Sequence, residues 1–290
     1  VDFNTDSICK GESIQQIPTE VLKKTGIYFG DAHFKKDCMA VISENIKKID
    51  GECICRIPFC TTLEAEAFGS NVKLDKYNNQ LLLNNFKYST VEDLSNLHNF
   101  DFNRGRMREI LDCISILSKR GNIVALNVEG PFTVLTMLID SLTVFRNLIK
   151  QNDIIHNALL IIQNNIREYI IRAIEKGARI ISYSDPSSDI NIIGPATYRK
   201  LAGKITYDLI RSIEGYIDDC IVHICARTSL PFEKMKFCRS TTIAVGNNIS
   251  YGEAICELLD NKDIKFLGHK CMNNTHKILK NSTVWKLDLI

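Results

Sequence analysis

His223 and Cys225 close the apolar segment Asp219-Cys220-Ile221-Val222-His223-Ile224-Cys225. Strand alternation puts both side chains on one face. An imidazole nitrogen and a thiolate sulfur side by side are two of the three protein ligands of a catalytic zinc site, whose fourth position stays open. Cys271, in Phe266-Leu267-Gly268-His269-Lys270-Cys271, is the expected third ligand. The separation of 46 positions from Cys225 to Cys271 is too long for a local zinc knuckle but suits a site assembled from two strands. His269 is an alternative ligand or a donor to one, and Cys238 is a further open candidate. A metal held this way binds a thiol, removes its proton and makes it a nucleophile.

Two carboxylates accompany this set. Glu129 follows one apolar run and Asp185 another, as His223 and Cys225 follow a third and His269 and Cys271 a fourth. In parallel α/β folds the carboxyl ends of strands build the active site, so these groups converge on one mouth. Blander readings weigh against each. A lone His-x-Cys has a high chance background among eleven cysteines, and Cys38, Cys53, Cys113, Cys220 and Cys256 read as small buried hydrophobes. Glu129 before Gly-Pro also suits a helix N-terminal acid, and Asp185-Pro186 a turn with Ser187 and Ser188 as caps.

The elements that must position these groups alternate in kind. Helical spacing runs over 35–49, with Cys38, Ile42, Ile46 and Ile49 on one face. Glu52–Pro58 reads as a strand and 62–68 as a short helix. Residues 72–104, rich in Asn and Lys, read as a surface excursion. A helix over 105–119, a buried strand over 121–131, helices over 132–150 and 153–176, and a strand over 178–183 follow. A helix over 195–213, the strand of His223, and short strands at 243–245 and 264–267 complete the reading. Strands alternating with helices and no sharp linker predict one domain over 1–290, a (β/α)8 TIM barrel. Residues 1–30 form an amino-terminal extension on it, and a doubly wound sheet is the alternative.

Bulk properties exclude other classes. With 36 Lys+Arg against 34 Asp+Glu the net charge is +2, which argues against a nucleic-acid surface. No apolar run approaches the roughly 20 residues of a membrane span. The amino end is polar rather than signal-like, and an odd, scattered set of cysteines suits reduced thiols in a cytoplasm better than a disulfide framework.

In order and spacing, these segments resemble the uroporphyrinogen decarboxylase superfamily, and within it the corrinoid-dependent methyltransferases. Pro58-Phe59-Cys60-Thr61-Thr62-Leu63-Glu64-Ala65-Glu66-Ala67-Phe68-Gly69 resembles that group's passage from an early strand into an EAE-type helix. Val128-Glu129-Gly130-Pro131-Phe132-Thr133 resembles its second signature, and Asp185-Pro186-Ser187-Ser188 with Ile193-Gly194-Pro195 its third. His223-Ile224-Cys225 falls where methylcobamide:coenzyme M methyltransferases place two zinc ligands, and Cys271 near where their third lies.

The resemblance implies a TIM barrel holding Zn2+ on His223, Cys225 and Cys271, and a thiolate that takes a methyl group from a methyl-Co(III) corrinoid, releasing Co(I). It implies a corrinoid protein as partner, Glu129 and Asp185 as catalytic or orienting groups, and His33, Tyr183 and Ser187 as substrate or corrinoid contacts. The path from Cys225 to Cys271 is shorter than in the usual enzymes, so either one β/α unit is trimmed or Cys271 is not the counterpart of the third ligand. Three other functions stand beside this one. They are the methyl-donor half of an O-demethylase, a decarboxylase, and a non-catalytic corrinoid-protein-binding barrel. The decarboxylase reading is weakened because the first Arg is Arg56.

Overall fold

A computed structural model describes residues 16–150 and 153–290. Nine strands organise it: β1 (Ile54–Ile57), β2 (Asn71–Asp75), β3 (Gln80–Asn85), β4 (Ile123–Glu129), β5 (Ile180–Ser184), β6 (Ile221–Ile224), β7 (Cys238–Ala244), β8 (Phe266–Gly268) and β9 (Thr283–Leu289). The main sheet runs β1-β4-β5-β6-β8-β9-β7, and β2 and β3 form a separate hairpin. From β1 to β8 every neighbouring pair is parallel, with helices in the connections, as in a β/α barrel. The α/β barrel-type architecture is therefore present, and its parallel order breaks at β7. β7 does not sit between β6 and β8 but pairs antiparallel with β9 at the far edge, and β9 pairs antiparallel with β8.

Alternation along the parallel strands sorts their side chains into two sets. Cys55, Ile57, Val124, Leu126, Val128, Ile181, Tyr183, Val222 and Ile224 belong to the larger core cluster with the flanking helices. The other face begins apolar, with Ile54, Ala125, Ile180 and Ile221 in a second cluster. Two residues on it turns polar, at Arg56, Asn127, Ser182 and His223. The second cluster is completed by the helix Tyr251–Leu258, which contributes Tyr251, Ala254, Ile255 and Leu258. An eight-residue helix is too short to stand alone. Burial of Ile255 and Leu258, roughly 1.5–3 kcal/mol each, and the Ser250–Glu253 capping box hold it in place.

Among the described residues no strand pairing joins β1 to the far edge. Side chains bridge that seam instead. Arg56 on β1 donates to Met272 O at 2.9 Å, and the Thr275 hydroxyl donates to Glu52 Oε1 at 2.7 Å. Gly252 N and Tyr251 N donate to Thr275 O and Lys277 O, tying the short helix to the same segment. A cleft of about 310 Å3 opens along the seam, with Ser43, Ile46, Arg56, Phe59, Asn273 and His276 in its lining.

Four sequence expectations change. The excursion at 72–104 contains the β2–β3 hairpin, in which Val72 and Leu74 alternate with polar neighbours around a turn that puts Asn79 at φ 50°. Strand β7 starts at Cys238, not near 243, and β9 was not anticipated; β7 is an edge strand with several exposed side chains, and β9, between β8 and β7, buries only Val284 and Leu287, so both carry a weak apolar signal. The helix read over 195–213 is interrupted by a π-helical stretch, Tyr198–Ala202, before Gly203–Ile213. Of the amino-terminal extension, 1–15 lie outside the described residues, while Ile17, Val21 and Phe29 are buried in the core. Among the described residues no helix is long and apolar enough to cross a membrane.

Candidate functional site

Parallel pairing brings the carboxyl ends of β4, β5, β6 and β8 to one edge of the sheet. Glu129 stands opposite Ser184, Ser182 opposite His223, and His223 opposite Leu267. Because β6 and β8 are direct neighbours, the segments leaving them stay together. Ala226 N donates to Lys270 O at 3.0 Å, so the residues following Cys225 and preceding Cys271 are joined backbone to backbone. The long sequence separation is thus closed by one strand pair.

His223 is 0% exposed. Neither ring nitrogen has a hydrogen-bond partner among the described residues. Burial pushes its pKa down to about 3, so the ring is neutral at pH 7 with a lone pair available. Its ring meets that of Tyr251 edge-on, with centroids 5.8 Å apart. The Tyr251 hydroxyl is also buried without a partner among the described residues. Burial raises its pKa, and the Cys271 and Cys225 thiols add to the rise, which sets both sulfurs in the electrostatic neighbourhood of this hydroxyl. Lys270 Nζ lies 5.5 Å from the Tyr251 ring centroid, and burial lowers its pKa. Cys225 is the N-cap of the helix Ala226–Lys234, a position that favours negative charge.

Buried polar groups are nearly always hydrogen-bonded, so an orphaned imidazole beside an orphaned phenol and two buried thiols suits an occupant that takes nitrogen and sulfur donors. His223, Cys225 and Cys271 are the right donor types for zinc. Among the described residues, however, no three His, Cys, Asp or Glu side chains are gathered closely enough to hold a metal ion.

The other expected residues are placed differently. Asp185 is 0% exposed and lies, with Tyr183, on the opposite parity from His223. It accepts hydrogen bonds from Thr133 N and Thr133 Oγ1 at 2.7 Å and from Phe132 N at 3.2 Å. Its carboxylate thereby anchors the first turn of the helix Pro131–Leu138. Burial raises its pKa to about 6 against the pull of those donors. Tyr183 is buried on that same face, its hydroxyl 3.4 Å from Thr206 Oγ1. Ser187 Oγ lies 2.9 Å from Thr136 Oγ1. Glu129 ends β4, and its backbone N–H donates to Glu64 Oε1 at 3.2 Å.

His269 is held by Ser229 Oγ at Nδ1 and Glu233 Oε2 at Nε2, both at 2.9 Å, and braces the end of β8. Cys238 starts β7, where burial raises its thiol pKa to about 12. His33 belongs to another cluster, at the end of β1. It packs edge-on against Phe29 and Phe59, its Nε2 has no partner among the described residues, and burial with nearby Arg106 pushes its pKa down to about 3. In that cluster Arg106 donates to Cys60 Sγ at 2.8 Å and pairs with Glu66. Burial raises the Glu64 pKa to about 7, opposed by its own backbone N–H, that of Glu129, and Arg106.

Sequence reasoning missed Tyr251 and Glu64. The pattern Ser250-x-x-Glu253 marks a helix start at Tyr251, but nothing local aims that start at β6.

The profile of uroporphyrinogen decarboxylase (URO-D) matches residues 9–268. The chain belongs to the URO-D family. Within that family it is 28% identical over 218 residues to the methylcobamide:CoM methyltransferase MtbA of Methanosarcina acetivorans, covering 74% of this chain and 64% of that protein. It is 23% identical over 252 residues to the methylcobamide:CoM methyltransferase MtaA of Methanosarcina barkeri, covering 83% of this chain and 74% of the relative. The chain spans less than two thirds of the MtbA relatives it matches, 64% of one and 62% of another from Methanosarcina mazei. A solved methyltransferase from Methanosarcina mazei shares the URO-D fold, with a TM-score of 0.65 at 22% identity over 77% of this chain and 65% of that one.

Proposed function

We propose that this URO-D family member is a corrinoid-dependent methyltransferase that moves a methyl group between a corrinoid, carried by a partner protein, and a small thiol bound at zinc. The observation that carries the reading is His223, wholly buried with both ring nitrogens unpartnered among the described residues, beside Tyr251 and the Cys225 and Cys271 thiols. The family membership and the methylcobamide:CoM methyltransferase relatives support the reaction class.

His223, Cys225 and Cys271 supply the donor types and would have to draw closer together to hold the metal. Zinc, when bound, keeps the substrate thiol deprotonated at neutral pH, where a free thiol of pKa about 8.5 is mostly protonated. His223 is neutral at working pH and needs no proton removed before it donates. The dipole of the helix after Cys225 favours negative charge at its N-terminal end, where that thiol stands. The Tyr251 hydroxyl, without a partner among the described residues and in the electrostatic neighbourhood of the thiols, serves to orient the substrate sulfur. The sulfur gains the methyl group and the corrinoid keeps the bonding electron pair, so the sum of charge and atoms is unchanged. Asp185 acts indirectly, by anchoring the helix that follows Glu129.

The test pairs metal content with turnover. The purified protein should carry about one zinc per chain, as the proposed single site requires. Cys225→Ala and Cys271→Ala should lose the zinc together with methyl transfer from methylcobalamin to a panel of thiols that includes coenzyme M. Full zinc in both variants sinks the ligand set. Failure with every thiol, together with demethylation of a methoxylated donor, moves the chain to the methyl-donor side of corrinoid chemistry.

A further inference from the structure

Cys53 and Cys256 are remote from each other in sequence and lie on opposite sides of the seam. Cys53 directly precedes β1, and Cys256 sits on the helix Tyr251–Leu258. Their sulfurs are 2.9 Å apart, and both residues are partly exposed. A disulfide holds its sulfurs about 2.05 Å apart, so small side-chain rotations close the remaining gap. The other described cysteines show no sulfur pair of this kind.

We propose that Cys53 and Cys256 are a modification site, a thiol pair that oxidises reversibly to an intrachain disulfide across the seam. The order of events follows from which thiol donates. Either sulfur can donate to the other; with Cys256 as donor the Cys53 pKa is lowered and that of Cys256 raised, which assigns the attacking thiolate to Cys53. With a low-molecular-weight disulfide as oxidant, the Cys53 thiolate attacks one sulfur of that disulfide and expels the other half as a thiolate. Cys256 loses its proton, attacks the mixed disulfide at Cys53 and expels the second half. Two protein thiols are oxidised and one small disulfide is reduced to two small thiols, which balances atoms and electrons.

The consequence is mechanical. The seam has no strand pairing among the described residues and is bridged by Arg56, Glu52 and Thr275. A covalent link at Cys53–Cys256 would fasten β1 to the helix whose first residue, Tyr251, stands against His223. The reduced protein closes the seam through side chains alone; the oxidised protein has a stapled wall beside the candidate site.

Treatment of the full chain with oxidised glutathione, alkylation with N-ethylmaleimide and peptide mapping by mass spectrometry test this. Cys38, also partly exposed and without a sulfur neighbour among the described residues, reports whether the oxidant reached the folded protein. The expected result is a Cys53–Cys256 linked peptide that dithiothreitol releases, with Cys38 carrying only a glutathione adduct. The thermal midpoint should rise on oxidation by on the order of 5 °C in the wild type, and not in Cys53→Ser or Cys256→Ser. Glutathione adducts or maleimide at Cys53 and Cys256 separately, with no linked peptide while Cys38 is modified, overturn the proposal. A linked peptide that forms only in urea overturns it as well.

Discussion

The phenol of Tyr251 and the imidazole of His223 are neighbouring buried groups whose hydrogen-bonding capacity the described chain leaves unused. A structural tyrosine could be replaced by phenylalanine at no loss, since an unpaired buried hydroxyl costs about 1–3 kcal/mol rather than contributing. A hydroxyl that orients a charged sulfur behaves otherwise. Tyr251→Phe should keep the zinc and the thermal midpoint of the wild type while methyl transfer falls roughly tenfold to a hundredfold, the worth of a hydrogen bond to a charged group. Unchanged turnover would make Tyr251 a packing residue.

Two other buried groups govern acid stability in opposite senses. The folded pKa of His33 is lowered to about 3, below the usual 6.5, so the unfolded chain binds more protons between those values. Its contribution to stability is present above pH 6.5 and is lost as pH falls toward 3. The folded pKa of Glu64 is raised to about 7, so its contribution is present below pH 4.5 and lost as pH rises through 7. Between pH 4.5 and 6.5 the two offset. His33→Asn should therefore lower the slope of stability against pH by up to about 1.4 kcal/mol per unit, and Glu64→Gln should raise it equally. Urea midpoints across that window measure both.

Among the elements, the helix Pro131–Leu138 depends most on a distant residue. Its first N–H groups have Asp185 as acceptor in place of a local cap, and Gly130 allows the approach. A Cβ at Gly130 would collide with the Asp185 side chain and the Tyr183 hydroxyl. Gly130→Ala should cost about 1–3 kcal/mol through overpacking. Asp185→Ala should cost about 2 kcal/mol by orphaning three donors. Thermal or urea unfolding decides, and a loss below about 0.5 kcal/mol in both would contradict this account of the helix. The sequence already marks the break at Gly130-Pro131 and the carboxylate at Asp185. It does not reveal that the two meet, because Asp185 lies one strand away and on the face opposite His223.

For the whole molecule the seam is the weak line. The parallel order runs from β1 to β8, and the antiparallel β9 and β7 complete the sheet without pairing back to β1 among the described residues. Closure rests on a few polar side chains that reach the segment 272–275. Arg56→Ala removes the donor to Met272 O. Limited proteolysis should then cut near 271–277 several times faster than in the wild type, at little change in global unfolding. Equal cutting rates in the two proteins would show that Arg56 is not part of the closure.

The sequence by itself determined the donor types at the strand ends and the alternation of strands and helices. Each of these is set by local chemistry or by a period of two or 3.6 residues, which a single chain displays without its neighbours. Tertiary structure alone decided that β7 leaves the parallel order, so that β6 and β8 meet and bring Cys225 and Cys271 together. It also decided that Tyr251 stands over His223 and that Asp185 turns away to hold a helix. Those outcomes depend on pairings between segments far apart in the chain, whose energies reside in burial and register and leave no local mark.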